Sequence, residues 1–267
     1  MEVYEEVQDY DVLCNYLNIK LNDYNNEPRA IRMDLVLFKD AITNCCNIYR
    51  LLKLERGNVL LVGVGGSGRH SLTKLAAYMA EMKTLKVEVT RSFDIKNFRE
   101  FLKSLYTTTG TNNKTGVFLF SDNDIIQEAF LEDVSNILSS GEVPNLFDGE
   151  ELQAIREAIR KDFKLQMPGS VETPDAIYEF FLNRVRANLH IGICMSPIGE
   201  QFRNYCRMYP ALINNATINW FMKWPEDALR EVAKRFVERC TQIPQPQKSP
   251  ISAIITYTHS TVEIAAR

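Results

Sequence analysis

Residues 59–71 read Val59-Leu60-Leu61-Val62-Gly63-Val64-Gly65-Gly66-Ser67-Gly68-Arg69-His70-Ser71. Apolar, strand-forming residues run into a turn that carries four glycines within six positions. Glycines at this density serve close approach of the backbone to a ligand, because none of them places a Cβ in the way. Successive N–H groups of such a turn can wrap an anion. The stretch that follows has Leu72, Leu75, Ala76 and Met79 on one face and reads as a helix. Its positive N-terminal end points at the same place. The pattern is close to a Walker A phosphate loop, which asks for Gly, four residues, Gly-Lys and then Ser or Thr. Gly63 and Gly68 keep the spacing, but Arg69 stands for the lysine and His70 for the hydroxyl. Arginine retains a cation that can pair with phosphate, on a planar fork rather than as a point charge. His70 removes the oxygen that normally ligates Mg²⁺, and Ser71 falls one position late for that role. The loop is therefore suited to holding a nucleotide and poorly suited to hydrolysing it. The competing reading is a glycine-rich strand-to-helix turn that binds nothing.

At 267 residues the chain can bury a substantial core, as one large domain or two smaller ones. A net charge of −3 and the lack of a basic stripe with interleaved aromatics argue against nucleic acid as a partner. No apolar run approaches the ~20 residues that span a bilayer, so no membrane partner is expected. Glu2, Glu5, Glu6 and Asp9 do not resemble a targeting peptide. The six cysteines form no C-x-x-C pair, and buried free thiols are the expected outcome.

Along the chain, residues 1–21 form an acidic lead-in, irregular or helical, and Asn22–Pro28 reads as a turn. A helix ending near Leu54 follows from Phe38, Ala41, Ile42, Cys45, Ile48, Tyr49 and Leu52. Strands are expected at Val59–Val62, Leu85–Val89, Val117–Phe120, Leu189–Met195 and Thr217–Phe221. Helices are expected around Phe98–Leu105, at 127–139, 150–162 and 174–187, and at Pro225–Cys240. Residues 107–116 read as a Gly/Asn/Thr-rich loop, and Pro244, Pro246 and Pro250 punctuate a linker. Strands alternating with helices, the phosphate loop after the first strand, predict an α/β fold with a mainly parallel sheet. Three segments follow: residues 1–56 with the first helix, 57–224 as the α/β subdomain, and 225–267 as a separate helical part.

A nucleotidase of this class needs acids at the end of a second buried strand. After Val117–Phe120 comes Ser121-Asp122-Asn123-Asp124. In one register Ser121 and Asp122 take the metal-shell and base positions; shifted by one, Asp122 is the metal-shell acid and Asn123 replaces the base. Either register loses a carboxylate. Ser196, after Leu189–Met195, is placed to reach a terminal phosphate, although a Ser-Pro turn is common there. Arg203 and Arg207 lie four apart, in a place where an arginine can stabilise phosphate charge in a neighbouring site. Surface pairing with acids is the competing role. His70, His190 and His259 offer no metal-ligand spacing, and no metal site is expected. Glu132 and Asp133 read as a solvated helix face, and Trp220 and Trp224 as core.

Together these blocks resemble the dynein heavy chains, in particular the fourth AAA+ module of the axonemal type. The resemblance rests on Gly57–Arg69, on Phe130-Leu131-Glu132-Asp133 through Gly141-Glu142-Val143-Pro144-Asn145-Leu146-Phe147, on Ile191–Pro197, and on Phe202 through Trp220 to Leu229. It covers about residues 1–240 and weakens beyond Cys240, where the chain resembles the start of a small helical lid cut off before the stalk. The resemblance implies a P-loop AAA+ large subdomain that binds ATP or ADP, in a ring of six modules of a microtubule motor in the axoneme of cilia and flagella. Implied partners are the neighbouring AAA+ modules of the same heavy chain, microtubules through the stalk, and dynein light and intermediate chains. Mg²⁺ accompanies the nucleotide in the family, but the departures weaken that expectation here. Carried over by position, Gly63, Val64, Gly65, Gly66, Ser67, Gly68, Arg69, His70 and Ser71 take the Walker A role. Ser121 and Asp122 take the Walker B role and Ser196 the first sensor. Arg207, before Arg203, takes the finger offered to the preceding module. Leu35 and Val36 fall where the family contacts adenine. The leading expectation is a regulatory nucleotide-binding module with slow or absent turnover. The alternatives are an active ATPase with Asp122 as base, and a structural module with an empty site.

Overall fold

The computed structural model describes residues 7–28, 30–90 and 92–265. Glu2, Glu5 and Glu6, read above against a targeting peptide, lie outside them. The described chain divides into two compact units, one holding Cys46–Phe221 and the other the chain up to Cys45 together with the chain from Met222 onward.

The larger unit is built on five strands: β1 (Val59–Gly63), β2 (Lys83–Lys86), β3 (Gly116–Ser121), β4 (Leu189–Met195) and β5 (Thr217–Phe221). Every position of β1, β3 and β4 is buried, as continuous apolar runs covered on both faces require. They occupy the middle of the sheet, whose order is β2-β3-β4-β1-β5 with every pair parallel. The partly exposed β2 and β5 form the edges. Parallel register brings the carboxyl ends of β1, β3, β4 and β5 to one side: Val62 lies beside Met195, Ser121 beside Cys194, and Gly63 beside Phe221. At the opposite ends Asn58 accepts the Ile191 N–H at 2.9 Å and donates to the Asn215 carbonyl at 3.3 Å.

Helices follow the strands. In chain order they are α1 (Tyr10–Asn26), α2 (Lys39–Leu52), α3 (Arg69–Met79), α4 (Ile95–Tyr106), α5 (Glu128–Ser140), α6 (Gly149–Gln166), α7 (Pro174–Asn188), α8 (Gln201–Met208), the short α9 (Ala211–Asn214), α10 (Glu226–Arg239) and α11 (Gln245–Ala265). Local sequence explains several boundaries. Asp94 with Asn97 and Asp148 with Glu151 form reciprocal capping boxes for α4 and α6. Thr173 caps α7 ahead of Pro174, which needs no N–H at that position. α5 stops at Gly141, whose φ of 75° suits a residue without a side chain. An aromatic cluster joins sheet to helices: Phe98 stacks on Phe130 at 4.4 Å and lies 6.0 Å from Phe120. The Tyr106 hydroxyl closes this core by donating to the Gly141 carbonyl at 2.8 Å.

In the smaller unit, α1 buries Leu17 and Leu21, and Asn25 exchanges hydrogen bonds with the Met33 backbone at 2.7 and 3.0 Å. Phe38 meets Trp224 edge-on at 5.1 Å, Arg239 pairs with Asp34, and α10 packs against α11.

Several expectations need correction. α1 runs through most of the predicted Asn22–Pro28 turn, because Asn25 finds its partner in Met33 rather than in a local turn. β2 begins at Lys83 rather than Leu85 and ends at Lys86, a register fixed by pairing with β3. The predicted loop opens with a π-helical turn over Thr107–Thr111, since Thr107, Thr108 and Thr109 each bond the carbonyl four residues back. The proline-punctuated linker is largely the helix α11, with Pro250 inside it. Asp133 is no solvated residue: it is 2% exposed and held by Arg99 at 3.1 and 3.3 Å. Trp220 is 53% exposed on β5, an edge strand, and is not core.

Gly110, in the π-helical turn, packs against α7 with no room for a side chain. A Cβ there would lie 2.3 Å from Phe181 and 2.8 Å from Val185. Gly110→Ala is expected to destabilise the fold by about 1–3 kcal/mol through overpacking. Urea unfolding checks this, and an unchanged midpoint would mean that α7 shifts freely.

Candidate functional site

The glycine-rich turn leaves β1 at Gly63, and no side chain could replace that glycine without movement. Its Cβ would lie 2.7 Å from Phe221 Cβ and 3.1 Å from Ser67 Oγ. Gly65 and Gly66 are the reverse case, since a Cβ at either would meet nothing within 4 Å. Gly66 and Gly68 take φ of 78° and 88°, the left-handed region open to glycine. Beside this open cradle, the Ser67 hydroxyl is buried and has no hydrogen-bond partner. Buried hydroxyls in native folds are normally paired, and Ser67 Oγ is one of five buried side-chain polar atoms among the described residues without a partner. α3 starts at Arg69 with no acidic residue in its first turn, leaving its positive end uncompensated. An anion with several oxygens fits this arrangement.

Arg69 is buried at 7% exposure, and its guanidinium turns back into the protein. Nη1 donates to the Met195 carbonyl at the end of β4, and Nη2 to the Val64 carbonyl at 3.4 Å. Of the five donors that an arginine carries, those two are committed to the backbone of this unit. The side chain thus braces the loop against β4.

The acid turn after β3 is organised around Asp124, not around Asp122 alone. Asp124 is 6% exposed, and its Oδ2 accepts from the Ser121 N–H at 2.9 Å and the Ser121 hydroxyl at 2.6 Å. Its Oδ1 faces the Lys86 ammonium, at the end of β2, at 3.9 Å. Asp122 accepts the Asn123 N–H at 3.0 Å on one oxygen and the Ser196 N–H at 2.8 Å on the other. Asp122 and Ser196 are therefore brought together, with Ser121 next to Asp122 in the chain. Ser-x-x-Asp is itself a recognisable capping signature, so Asp124 was legible in the sequence. Lys86 was not, because its place depends on the β2–β3 register.

His70 stands second in α3, half-buried, with Nε2 shielded from solvent and unpartnered. Burial lowers its pKa, the cations of Lys86, Arg69 and Lys74 lower it further, and Asp124 opposes them. The ring is neutral at pH 7. Ser71 follows on the same helix, half-buried. Beneath the loop, burial pushes the Cys194 thiol up to about 12, which keeps it protonated and inert. Arg203 pairs with Glu200 at 3.4 Å, while Arg207 is exposed and makes no hydrogen bond or ion pair among the described residues. Leu35 and Val36 belong to the smaller unit, in the extended segment before α2.

A family profile described as "P-loop containing dynein motor region D4" matches residues 33–267. The chain belongs to that family. It is 48% identical over 261 residues, 98% of its length, to the dynein-1-beta heavy chain of the flagellar inner arm I1 complex of Chlamydomonas reinhardtii. It is 42% identical over 265 residues, 99% of its length, to human dynein axonemal heavy chain 6, and 44% identical over 236 residues, 88% of its length, to rat dynein axonemal heavy chain 5. The chain spans only 6%, 6% and 7% of those relatives.

Nucleotide is the ligand this dynein family implies, and its phosphates fit the residues present: the open Gly65-Gly66 cradle, the orphan Ser67 hydroxyl and the α3 terminus. For Mg²⁺, the position of the metal-ligating hydroxyl holds His70, while the Asp122 oxygens, each accepting one backbone N–H, retain acceptor sites.

If Arg69 braces the loop, it supports the fold before any ligand arrives. Arg69→Ala is expected to lower the stability of the nucleotide-free protein by about 1.5–3 kcal/mol, the worth of buried charged hydrogen bonds. Denaturant unfolding without nucleotide reads this directly. Unchanged stability would assign Arg69 to phosphate contact alone.

Proposed function

We propose that this chain is a nucleotide-binding module with slow or absent hydrolysis, acting as a regulatory part of an axonemal dynein heavy chain. The observation that carries the proposal is the buried, unpartnered Ser67 hydroxyl beside an open glycine cradle at a helix N-terminus. The ligand is ATP or ADP, with its phosphates on the Gly63–Ser71 turn. Electrostatic positioning by a metal and by carboxylates carries most of phosphoryl-transfer catalysis. Here Ser121 occupies one acid position, and both oxygens of Asp122 accept backbone N–H groups. These features reduce rate more than affinity.

Other roles join the same proposal. Leu35 and Val36 contact the adenine, Ser196 senses the terminal phosphate, and Arg207 serves as the finger offered to a neighbouring module's nucleotide, for which its exposure and lack of a partner suit it. The working partners are the adjoining AAA+ modules of the same heavy chain, microtubules indirectly through the stalk, and light and intermediate chains. The exposed Trp220 and Met222 are the kind of apolar surface that neighbours cover. The place of work is the cytoskeleton of the ciliary or flagellar axoneme, supported by the axonemal and flagellar relatives.

Equilibrium titration of the chain with ATP and with ADP tests the reading, beside a Gly65→Val variant that places a side chain in the open turn without a positive φ. Saturable binding by the parent and its loss in the variant are expected, with phosphate release no faster than the buffer background. Steady turnover that disappears in Asp122→Asn would instead establish an active ATPase. Absence of binding at millimolar nucleotide would leave a structural module.

A further inference from the structure

Two contacts at the carboxyl end of β4 fall on a single peptide group. Arg69 donates to the carbonyl of Met195, and Asp122 accepts the N–H of Ser196 at 2.8 Å. That carbonyl and that N–H share one plane, the Met195–Ser196 peptide, and a trans peptide points them in opposite directions. A cation from the phosphate turn therefore holds one end of the plane, and a carboxylate from the acid turn holds the other. The peptide dipole lies between them, so each partner polarises the group in favour of its counterpart. Arg69 and Met195 are both buried, where such polarisation counts for more than in water. The plane sits at the limit of the strand pairings, which stop at Met195 toward β1 and at Cys194 toward β3. Pro197 follows and has no N–H to add.

Resting on the nucleotide-binding reading above, we propose that Arg69, the Met195–Ser196 peptide and Asp122 form a relay that reports phosphate occupancy to the acid turn. A phosphate drawn to the start of α3 meets Arg69 there, and the arginine's bond to the Val64 carbonyl is long, at 3.4 Å. Phosphate oxygens carry full negative charge and match the planar fork, so they outcompete carbonyl oxygens for its donors. As Arg69 turns to the ligand, the Met195 carbonyl loses its donor and the peptide loses polarisation. The Ser196 N–H is then held less tightly, and the Asp122 oxygen that accepted it becomes available. The other Asp122 oxygen stays with the Asn123 N–H at 3.0 Å, inside the acid turn itself. Arg69 is a positioning residue for Asp122, acting through a peptide that both of them hold. Occupancy of the turn reaches the ends of β4 and β3 in this way without a chemical step.

The test is amide hydrogen exchange at Ser196 in the 267-residue chain, without ligand and with ADP at a concentration that equilibrium titration shows to be saturating. ADP is expected to accelerate exchange at Ser196 by about three- to tenfold, the equivalent of one hydrogen bond lost. The Ile191 N–H, held by Asn58 at the opposite ends of the strands, is the reference and is expected to exchange equally in both conditions. Arg69→Met is expected to show the faster Ser196 exchange already without ligand. Saturable ADP binding that leaves Ser196 exchange unchanged, or slows it, overturns the proposal while the nucleotide-binding reading stands. Parental exchange at Ser196 in Arg69→Met overturns it as well. Absence of saturable binding removes the proposal together with the reading beneath it. If Arg69→Met accelerates Ser196 and Ile191 alike, that variant is opening as a whole, and the parent with and without ADP decides.

Discussion

The Arg69 guanidinium, turned inward onto the Met195 and Val64 carbonyls, is the contact on which the site's shape depends. A turn with four glycines has little to hold it in one conformation, because each glycine gives up more freedom on folding than any other residue. One buried side chain joins the turn to the end of β4, and from there a line of hydrogen bonds crosses the sheet. Ser196, next to Met195, donates its N–H to Asp122; Ser121, next to Asp122, donates to Asp124; Asp124 faces Lys86 on β2. Loop, β4, β3 and β2 are thereby connected at their carboxyl ends. Polar networks of this kind are favourable when every member is satisfied. Ser67 Oγ and His70 Nε2, on the turn and its helix, lie outside this line and are among the buried polar atoms without a partner.

The same contact alters what the arginine-for-lysine exchange means. A lysine is a compact charge on a flexible stem, whereas the arginine fork fixes its donors in a plane. Here that planarity lets one side chain meet two carbonyls of the protein itself. Positive charge for an anion at the turn then comes first from the uncompensated N-terminal end of α3.

Membership of the D4 region of dynein motors and the departures in the two acid and phosphate motifs belong to one physical picture. On the function proposed above, a module that keeps its cradle but departs from the acid and hydroxyl pattern binds a nucleotide and turns it over slowly or not at all. Its occupancy alone would shift populations by differential affinity.

The sequence by itself determined the α/β class, the parallel sheet and the central strands, because continuous apolar runs and a glycine-rich strand-to-helix turn admit few other folds. It determined β4 and β5 to the residue. It misplaced β2, whose ends are set by pairing with β3 and not by its own composition. It read a loop at Thr107–Thr111 and a linker around Pro246, where local composition lost to hydroxyl-to-carbonyl bonds in one case and to a continuous helix in the other. It placed Asp133 in water, because nothing local announces Arg99, thirty-four positions away, as its partner. Only the tertiary structure decided where Arg69 points and which acid holds Lys86. Those outcomes depend on side chains brought together from separate strands, and the energy of a buried charge is fixed by its neighbours in space rather than by its neighbours in the chain.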